Sequence, residues 1–286
     1  PAQTLTYSIV GGADAAKFSI NASTGALSFV SAPDFESPTD AGGDNVYDVT
    51  VQVSDGQGST DSQAIAVTVT SANDNAPVIT SGATASVSEN TTAVMTVTAT
   101  DADQPAQTLS YSIVGGADAA KFTINASTGA LSFATAPDYE VPTDVGGNNV
   151  YDVTVQVSDG TLSSTKAIAV TVTAVNDTTP VITSGATANV AENTTAVMTV
   201  TATDADLPAQ TLTYSIVGGA DAAKFSINAS TGALSFVSAP DFESPTDAGG
   251  DNVYDVTVQV SDGQGSTDSQ AIAVTVTSAN DNAPVI

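Results

Sequence analysis

Apolar and hydroxylic residues alternate along most of this chain with a period of two. Met95, Val97 and Ala99 are interleaved with Thr96, Thr98 and Thr100, and Tyr151, Val153, Val155 and Val157 with Asp152, Thr154, Gln156 and Ser158. Ile168, Val170 and Val172 alternate with alanine and threonine in the same way. Successive side chains of an extended strand point to opposite faces, so the pattern predicts strands with one face on a core and the other toward water. Within residues 77–180 it predicts seven strands, over 78–88, 93–100, 108–114, 121–125, 130–134, 149–158 and 165–174. Asn125-Ala-Ser-Thr-Gly129 supplies a tight turn, and Gly115–Lys121 leaves room for a single helical turn. Seven short strands in roughly a hundred residues predict an all-β, immunoglobulin-like Greek-key sandwich.

Self-comparison then divides the chain. Pro1–Ile79 recurs without a change as Pro208–Ile286, and a diverged copy beginning at Pro105 lies between them. The order is A–B–A, with boundaries at prolines: units 1–76, 77–180 and 181–286, the last including the start of the next linker. Residue 1 aligns with Pro105, so the first unit has no counterpart of 77–104, the first two strands and Glu89. Those strands bring Ile79, Val87, Val94, Met95 and Val97 to the core. At about 1.5–3 kcal/mol per large side chain their burial is worth roughly 7–15 kcal/mol, the whole stability of a typical domain. The expectation is that the first unit is incomplete, its opening strands supplied upstream in a longer array or donated by a neighbouring protomer.

Charge narrows the function. Thirty-one acidic residues face four lysines, Lys17, Lys121, Lys166 and Lys224, with no arginine or histidine, for a net charge of −27. Such a surface repels phosphate backbones and excludes nucleic acid as a partner. A hydrophobic fraction of 41% is too high for a disordered acidic chain. The folded protein therefore needs cations. There is no cysteine, hence no disulfide and no thiolate metal site. No apolar run is long enough to span a membrane and the amino terminus does not read as a signal peptide, so any export signal is expected outside this sequence. An acidic chain that wants divalent cations fits the outside of a cell.

The carboxylates gather where one unit hands over to the next. Over Val172–Asp206 a strand runs into Asn176-Asp177-Thr178-Thr179-Pro180, then Ala191-Glu192-Asn193, then Asp204-Ala205-Asp206; the same series occupies Val69–Asp103. Asp-Ala-Asp alone reads equally as a capped loop, and Asp138-Tyr139-Glu140 as a solvated turn or a glycosidase-type acid/base pair. Their joint recurrence favours metal. Asp118, Asp144 and Asp152 read as solvated surface groups, Tyr111 and Tyr151 as core or sheet-edge residues. The Asn-x-Ser/Thr triplets at Asn21, Asn90, Asn125 and Asn176 read as turn chemistry more readily than as glycosylation sites. An enzyme fails on inventory, with no His, Cys or Arg and no nucleophile–base motif. A calcium-dependent, lectin-like carbohydrate module is the alternative; it would want an exposed aromatic patch, and aromatic residues are 5% of the chain with no tryptophan.

These motifs, in order, carry a resemblance. Ser88-Glu89-Asn90, Asp101-Ala102-Asp103, Phe122–Leu131, Pro137-Asp138-Tyr139-Glu140, Tyr151 through Ser158-Asp159-Gly160 and the closing Val175-Asn176-Asp177 resemble a cadherin repeat of the kind strung in tandem in large bacterial surface proteins. The first unit closes with the fuller Asn73-Asp74-Asn75-Ala76-Pro77. Two departures are a glycine-rich insertion at Val141–Asn149 and Thr178 in place of the last asparagine. The resemblance implies calcium at each inter-repeat junction, held by both neighbours. For the first junction it implies Asp34, Glu36, Asn73, Asp74 and Asn75 with Asp101, Asp103 and Asp159. For the second it implies Glu89, Asp138, Glu140, Asn176 and Asp177 with Asp204, Asp206 and Asp262. Such an oxygen-rich inventory suits about three shared calcium ions per junction. It further implies an extracellular spacer, the shaft of an adhesin or surface fibre stiffened by calcium, with neighbouring repeats and homotypic bundle contacts as partners.

Overall fold

The computed structural model describes residues 3–281; the start of the linker expected at 282–286 lies outside them. The alternation folds as strands. Tyr254, Val256, Val258 and Val260 are each at most 1% exposed, while Asp255 between them faces water. By Cα packing the described chain forms two compact units, one of residues 3–85, 93–135 and 151–170, the other of 86–92, 136–150 and 171–281. Neither coincides with a sequence repeat; each encloses one carboxylate-rich handover.

The second unit contains residues 181–281, the described part of the third repeat. Its larger sheet runs in the order Thr187–Ala191, Thr267–Thr277, Val253–Ser261, Thr213–Gly218. The first pair is parallel, the other two antiparallel. The smaller sheet has Ala233–Phe236 between Ala196–Thr199 and Phe225–Ile227. Tyr254, Val258, Ile272 and Val274 of one sheet meet Leu234 and Phe236 of the other in a single core. Phe225 stacks on Phe236 at 4.6 Å and Tyr254 presents its edge at 5.1 Å, the offset and T-shaped geometries that aromatic quadrupoles favour.

The strand count differs from seven. In the middle repeat 78–88 divides into Val78–Ile79 and Thr84–Ser88, and 93–100 into Ala93–Thr96 and Ala99–Thr100. The third repeat shows why. Val181–Ile182 pairs antiparallel with Ala202–Thr203, after which the chain crosses to the larger sheet and runs parallel to Thr267–Thr277. A chain that changes sheets must leave its ladder, and Ser184-Gly185 is where it does so. The helical turn expected near Gly115–Lys121 is a 3₁₀ turn over Ala119–Lys121.

In the first unit, Val46–Ser54 lies between Thr6–Gly11 and Thr60–Thr68, and Phe18–Ile20 pairs with Leu27–Phe29. Its first-repeat core consists of Phe18, Tyr47 and Val49. The same unit holds a sheet of Phe122–Ile124, Ala130–Phe133 and Ala93–Thr96, and Ser110–Gly115 paired with residues 154–158.

Asp118 and Asp144 correct the solvated reading: they are 4% and 7% exposed, whereas Asp152 does face water. Asp118 Oδ2 accepts the Asp152 N–H at 2.9 Å, and Asp144 accepts those of Asn148 and Asn149, each at 3.0 Å. In the third repeat Asp221 accepts from Ala248 at 2.7 Å and from Asp255 at 2.9 Å, tying the glycine-rich insertion to the adjacent strand. A charge-assisted acceptor for two backbone donors offsets the cost of burying the carboxylate.

Candidate metal centres

Each handover places oxygen ligands by backbone geometry. In the first unit Asp101-Ala-Asp103 leaves the short strand Ala99–Thr100, and the Asp103 N–H donates back to Asp101 Oδ1 at 3.1 Å. Asn75 closes on Asp103 with its backbone N–H at 3.2 Å and its side-chain amide at 2.7 Å. The Gln104 N–H donates to Glu36 Oε1 at 3.3 Å. With its amide turned to donate, Asn73 reaches Asp159 Oδ2 at 3.1 Å and Asp103 Oδ2 at 3.3 Å. Carboxylate oxygens of Glu36, Asp74 and Asp103 converge within 4.8 Å of one another, and so do those of Asp101, Asp103 and Asp159. Asp34 uses Oδ1 to cap its own turn, accepting from Glu36 at 2.9 Å and Ser37 at 3.2 Å.

The second unit repeats the plan. Glu89, 2% exposed, accepts from Tyr139 at 2.7 Å and Val175 at 2.6 Å, and Asn90 donates its amide to Asp177 Oδ2. Oxygens of Glu89, Glu140 and Asp177 converge within 4.8 Å. Asp138, Glu140, Asp177 and Thr178 line a cleft of about 300 Å³. The Leu207 N–H donates to Glu140 at 2.9 Å, and Asn176 donates to Asp262 Oδ2 at 2.9 Å. Asp206 accepts the Thr178 N–H at 3.1 Å, and Asp204 Oδ1 accepts the Asp206 N–H at the same distance. Thr178 thus preserves the backbone contact of Asn75 and loses its amide; Gln210 Nε2 reaches Asp206 Oδ2 at 3.3 Å.

A third group joins these. Glu192, Asp241 and Glu243 of the third repeat converge within 4.8 Å, and Asn193 donates to Asp281 Oδ2 at 2.5 Å. They repeat Glu89, Asp138 and Glu140 by sequence, so the same motif comparison carried into the third repeat finds them; the sequence reading omitted them because it followed junctions between repeats.

Electrostatics differ within the clusters. Burial would raise Asp262, but the Asn176 amide and the N–H groups of Gln264, Gly265 and Ser266 outweigh it and hold the carboxyl below its ordinary range. Asp159 is lowered against burial by Thr161, Leu162 and Asn73. Glu140 goes the other way: burial raises it first, the Leu207 N–H opposes, and repulsion from Glu89 and Asp138 adds to the rise.

The donor set fits a hard divalent cation. All candidate ligands are oxygens, and Asp101 Oδ2, Asp204 Oδ2 and Asn176 Oδ1 are buried without a hydrogen-bond partner. A buried oxygen without a donor costs about 1–3 kcal/mol, and a cation removes that penalty. Calcium takes six to eight oxygens at such sites.

Two-layer β-sandwich repeats with acidic clusters beside the proline linkers define the class: a tandem-repeat protein whose clusters can hold divalent cations. The Cadherin domain model matches residues 83–173 and 186–277, more than half the chain. Human Protocadherin Fat 1 is 33% identical over 98% of the chain, and mouse Cadherin EGF LAG seven-pass G-type receptor 2 is 33% identical over the same share. The chain spans 6% and 10% of those relatives. Mouse cadherin-23 EC22–24 superposes with a TM-score of 0.68 at 23% identity, covering 96% of this chain and 87% of that one. Protocadherin gammaB7 EC3–6, solved as a cis-dimer, gives 0.69 at 28% identity, covering 99% and 69%. The chain belongs to the cadherin family. Among the described residues no helix is long and apolar enough to cross a membrane.

Proposed function

We propose that this chain is a calcium-stiffened extracellular spacer, part of the shaft of an adhesin or surface fibre of the kind that the resemblance associates with bacterial surfaces. The proposed ligands at the first handover are Asp34, Glu36, Asn73, Asp74 and Asn75 with Asp101, Asp103 and Asp159. At the second they are Glu89, Asp138, Glu140, Asn176 and Asp177 with Asp204, Asp206 and Asp262. The observation that carries the reading is the convergence of Asp101, Asp103 and Asp159 at the first handover and of Glu89, Glu140 and Asp177 at the second, together with buried oxygens that have no donor: Asp101 Oδ2 inside the first cluster, and Asp204 Oδ2 and Asn176 Oδ1 among the second handover's residues. Without a cation each close carboxylate pair costs on the order of 1–4 kcal/mol at protein-surface dielectrics. Bound calcium, when present, turns that repulsion into shared ligation and stiffens the linker. The units belonging to the proposal are 1–76, 77–180 and 181–286, with adjoining repeats of the same or an identical chain as partners.

Isothermal titration of the whole chain tests it. Wild type should bind several calcium ions; Asp204→Ala/Asp206→Ala should lose the second handover's share and Asp101→Ala/Asp103→Ala the first. Calcium heat unchanged in both double variants sinks the assignment.

A further inference from the structure

The segments 1–79 and 208–286 share one sequence, and a cavity recurs in both at the same eleven positions. It encloses about 500 Å³ in the third repeat and about 340 Å³ in the first. Clefts that hold small ligands span roughly 300–1,000 Å³. The third repeat has its opening strands, and the first is followed by another repeat. The cavity therefore owes nothing to either end of the sequence.

Three pieces of the fold build it. The 3₁₀ turn Ala222–Lys224 ends in the exposed Lys224, and the Val237 N–H donates to Lys224 O at 2.8 Å, which holds the exposed Val237 beside the turn. Residues 240–246 add the apolar Pro240, the carboxylate of Asp241 and the hydroxyls of Ser244 and Thr246. Tyr254 comes from the strand Val253–Ser261; it is 1% exposed yet lines the cavity, and its hydroxyl accepts the Thr246 N–H at 3.2 Å. Tyr47 accepts the Thr39 N–H at the same distance. A phenol that accepts one hydrogen bond still has its own O–H to donate. Thr246 Oγ1 stands 3.5 Å from the Tyr254 hydroxyl, beyond the usual range of an O–H···O bond, so that hydrogen is available to a molecule in the cavity.

A molecule held there meets one ammonium, one carboxylate and several hydroxyls beside an apolar wall. An anionic ligand is opposed by Asp241 and by the net charge of −27, and an ammonium group would stand next to Lys224. A neutral polyol suits both, because each of its hydroxyls donates and accepts at once. We propose that this cavity is a binding site for a neutral hexose unit, present in the first and third repeats. Lys224 and the Tyr254 O–H donate to ring hydroxyls, Asp241 accepts from them, Ser244 does either, and the C–H face of the ring covers Val237 and Pro240. No metal ion touches the sugar, which separates this site from a calcium-dependent lectin. At the positions of Val237 and Ser244 the middle repeat carries Ala134 and Val141. Val141 offers no hydrogen bond, so the middle repeat is not expected to bind.

The test titrates methyl α-D-glucoside, methyl α-D-mannoside and methyl β-D-galactoside into the whole chain in excess calcium, with amide NMR as the readout. At least one glycoside should give saturable shifts at Thr246 and Thr39, whose N–H groups bond the tyrosine hydroxyls, and at Lys224 and Lys17, while Lys121 and Thr143 stay in place. Tyr47→Phe/Tyr254→Phe keeps the rings and removes the hydroxyls, and should weaken binding by up to about tenfold. Ser37→Val/Ser244→Val installs the residue that a folded repeat already carries at Val141; it should weaken binding by a similar factor and leave the calcium stoichiometry unchanged. Absence of a saturable shift with all three glycosides overturns the proposal. So does binding at full strength in both double variants. Saturable binding of glucuronate in place of the neutral glycosides makes the cavity an anion site, and overturns it too.

Discussion

The acidic residues of this chain divide into two chemical populations. Asp221 and its repeats sit in the interior with both oxygens engaged by backbone donors, while the handover carboxylates include oxygens with none. For the first population, Asp221→Ala leaves the part-buried N–H groups of Ala248 and Asp255 without their acceptor and should destabilise the third repeat by about 1 kcal/mol in urea unfolding. Asp247 belongs to the same population. Burial would raise its carboxyl, yet N–H groups of Asp251, Asn252 and Gly250 hold it below the ordinary 3.8. Its folded-state value is depressed, so its contribution is present above the unfolded value and is lost as pH falls from about 3.8 through the folded one. Melting temperature followed against pH should therefore drop less steeply below that point in Asp247→Asn than in wild type. An acid limb of equal slope in both would show that the carboxylate contributes nothing.

Strands here are shaped by where the backbone must leave a ladder. The pairing of Thr213–Gly218 with Val253–Ser261 shifts register between Ile216 and Gly218, and Gly219 follows at φ +105°. A Cβ on Gly219 would lie 2.4 Å from Asp255 O and 2.5 Å from Val256 Cα. These are backbone atoms of the neighbouring strand, which cannot yield as a flexible side chain can. Gly219→Ala is expected to lower stability by at least about 1–3 kcal/mol from conformational strain alone, visible as a lower urea midpoint with unchanged calcium stoichiometry. A midpoint within error of wild type would mean the bulge relaxes freely.

For the molecule as a whole, the proposed calcium sites link stability to metal concentration. A ligand that binds only the folded form contributes about 2.7 kcal/mol per site at a hundredfold excess over Kd. Chelation should lower the melting temperature of the wild-type chain. Asp204→Ala/Asp206→Ala should start lower in calcium and respond less to chelator, because it has fewer ions to lose. Equal chelator shifts in both proteins, measured by calorimetry, would separate stability from these aspartates. Magnesium, which demands a tighter octahedron and releases water reluctantly, is expected to substitute poorly at these crowded carboxylates.

The period-two alternation around Tyr151 and Tyr254 and the A–B–A repetition were legible in the residues themselves, because side-chain direction in a strand follows from backbone geometry alone. The gathering of Glu89, Glu140 and Asp177 was expected only from the resemblance to a cadherin repeat, since order along the chain does not itself bring motifs together; their carboxylate oxygens lie within 4.8 Å of one another. Two features were not legible. The split of 78–88 depends on a second sheet receiving the strand, and Ser-Gly marks only where a break is tolerated. The burial of Asp118 and Asp144 depends on donors from Asp152, Asn148 and Asn149 that converge only after folding; by composition these aspartates are indistinguishable from exposed ones. Local pattern decides which face of a strand is apolar, but burial is a property of neighbours, and neighbours are assigned by the fold.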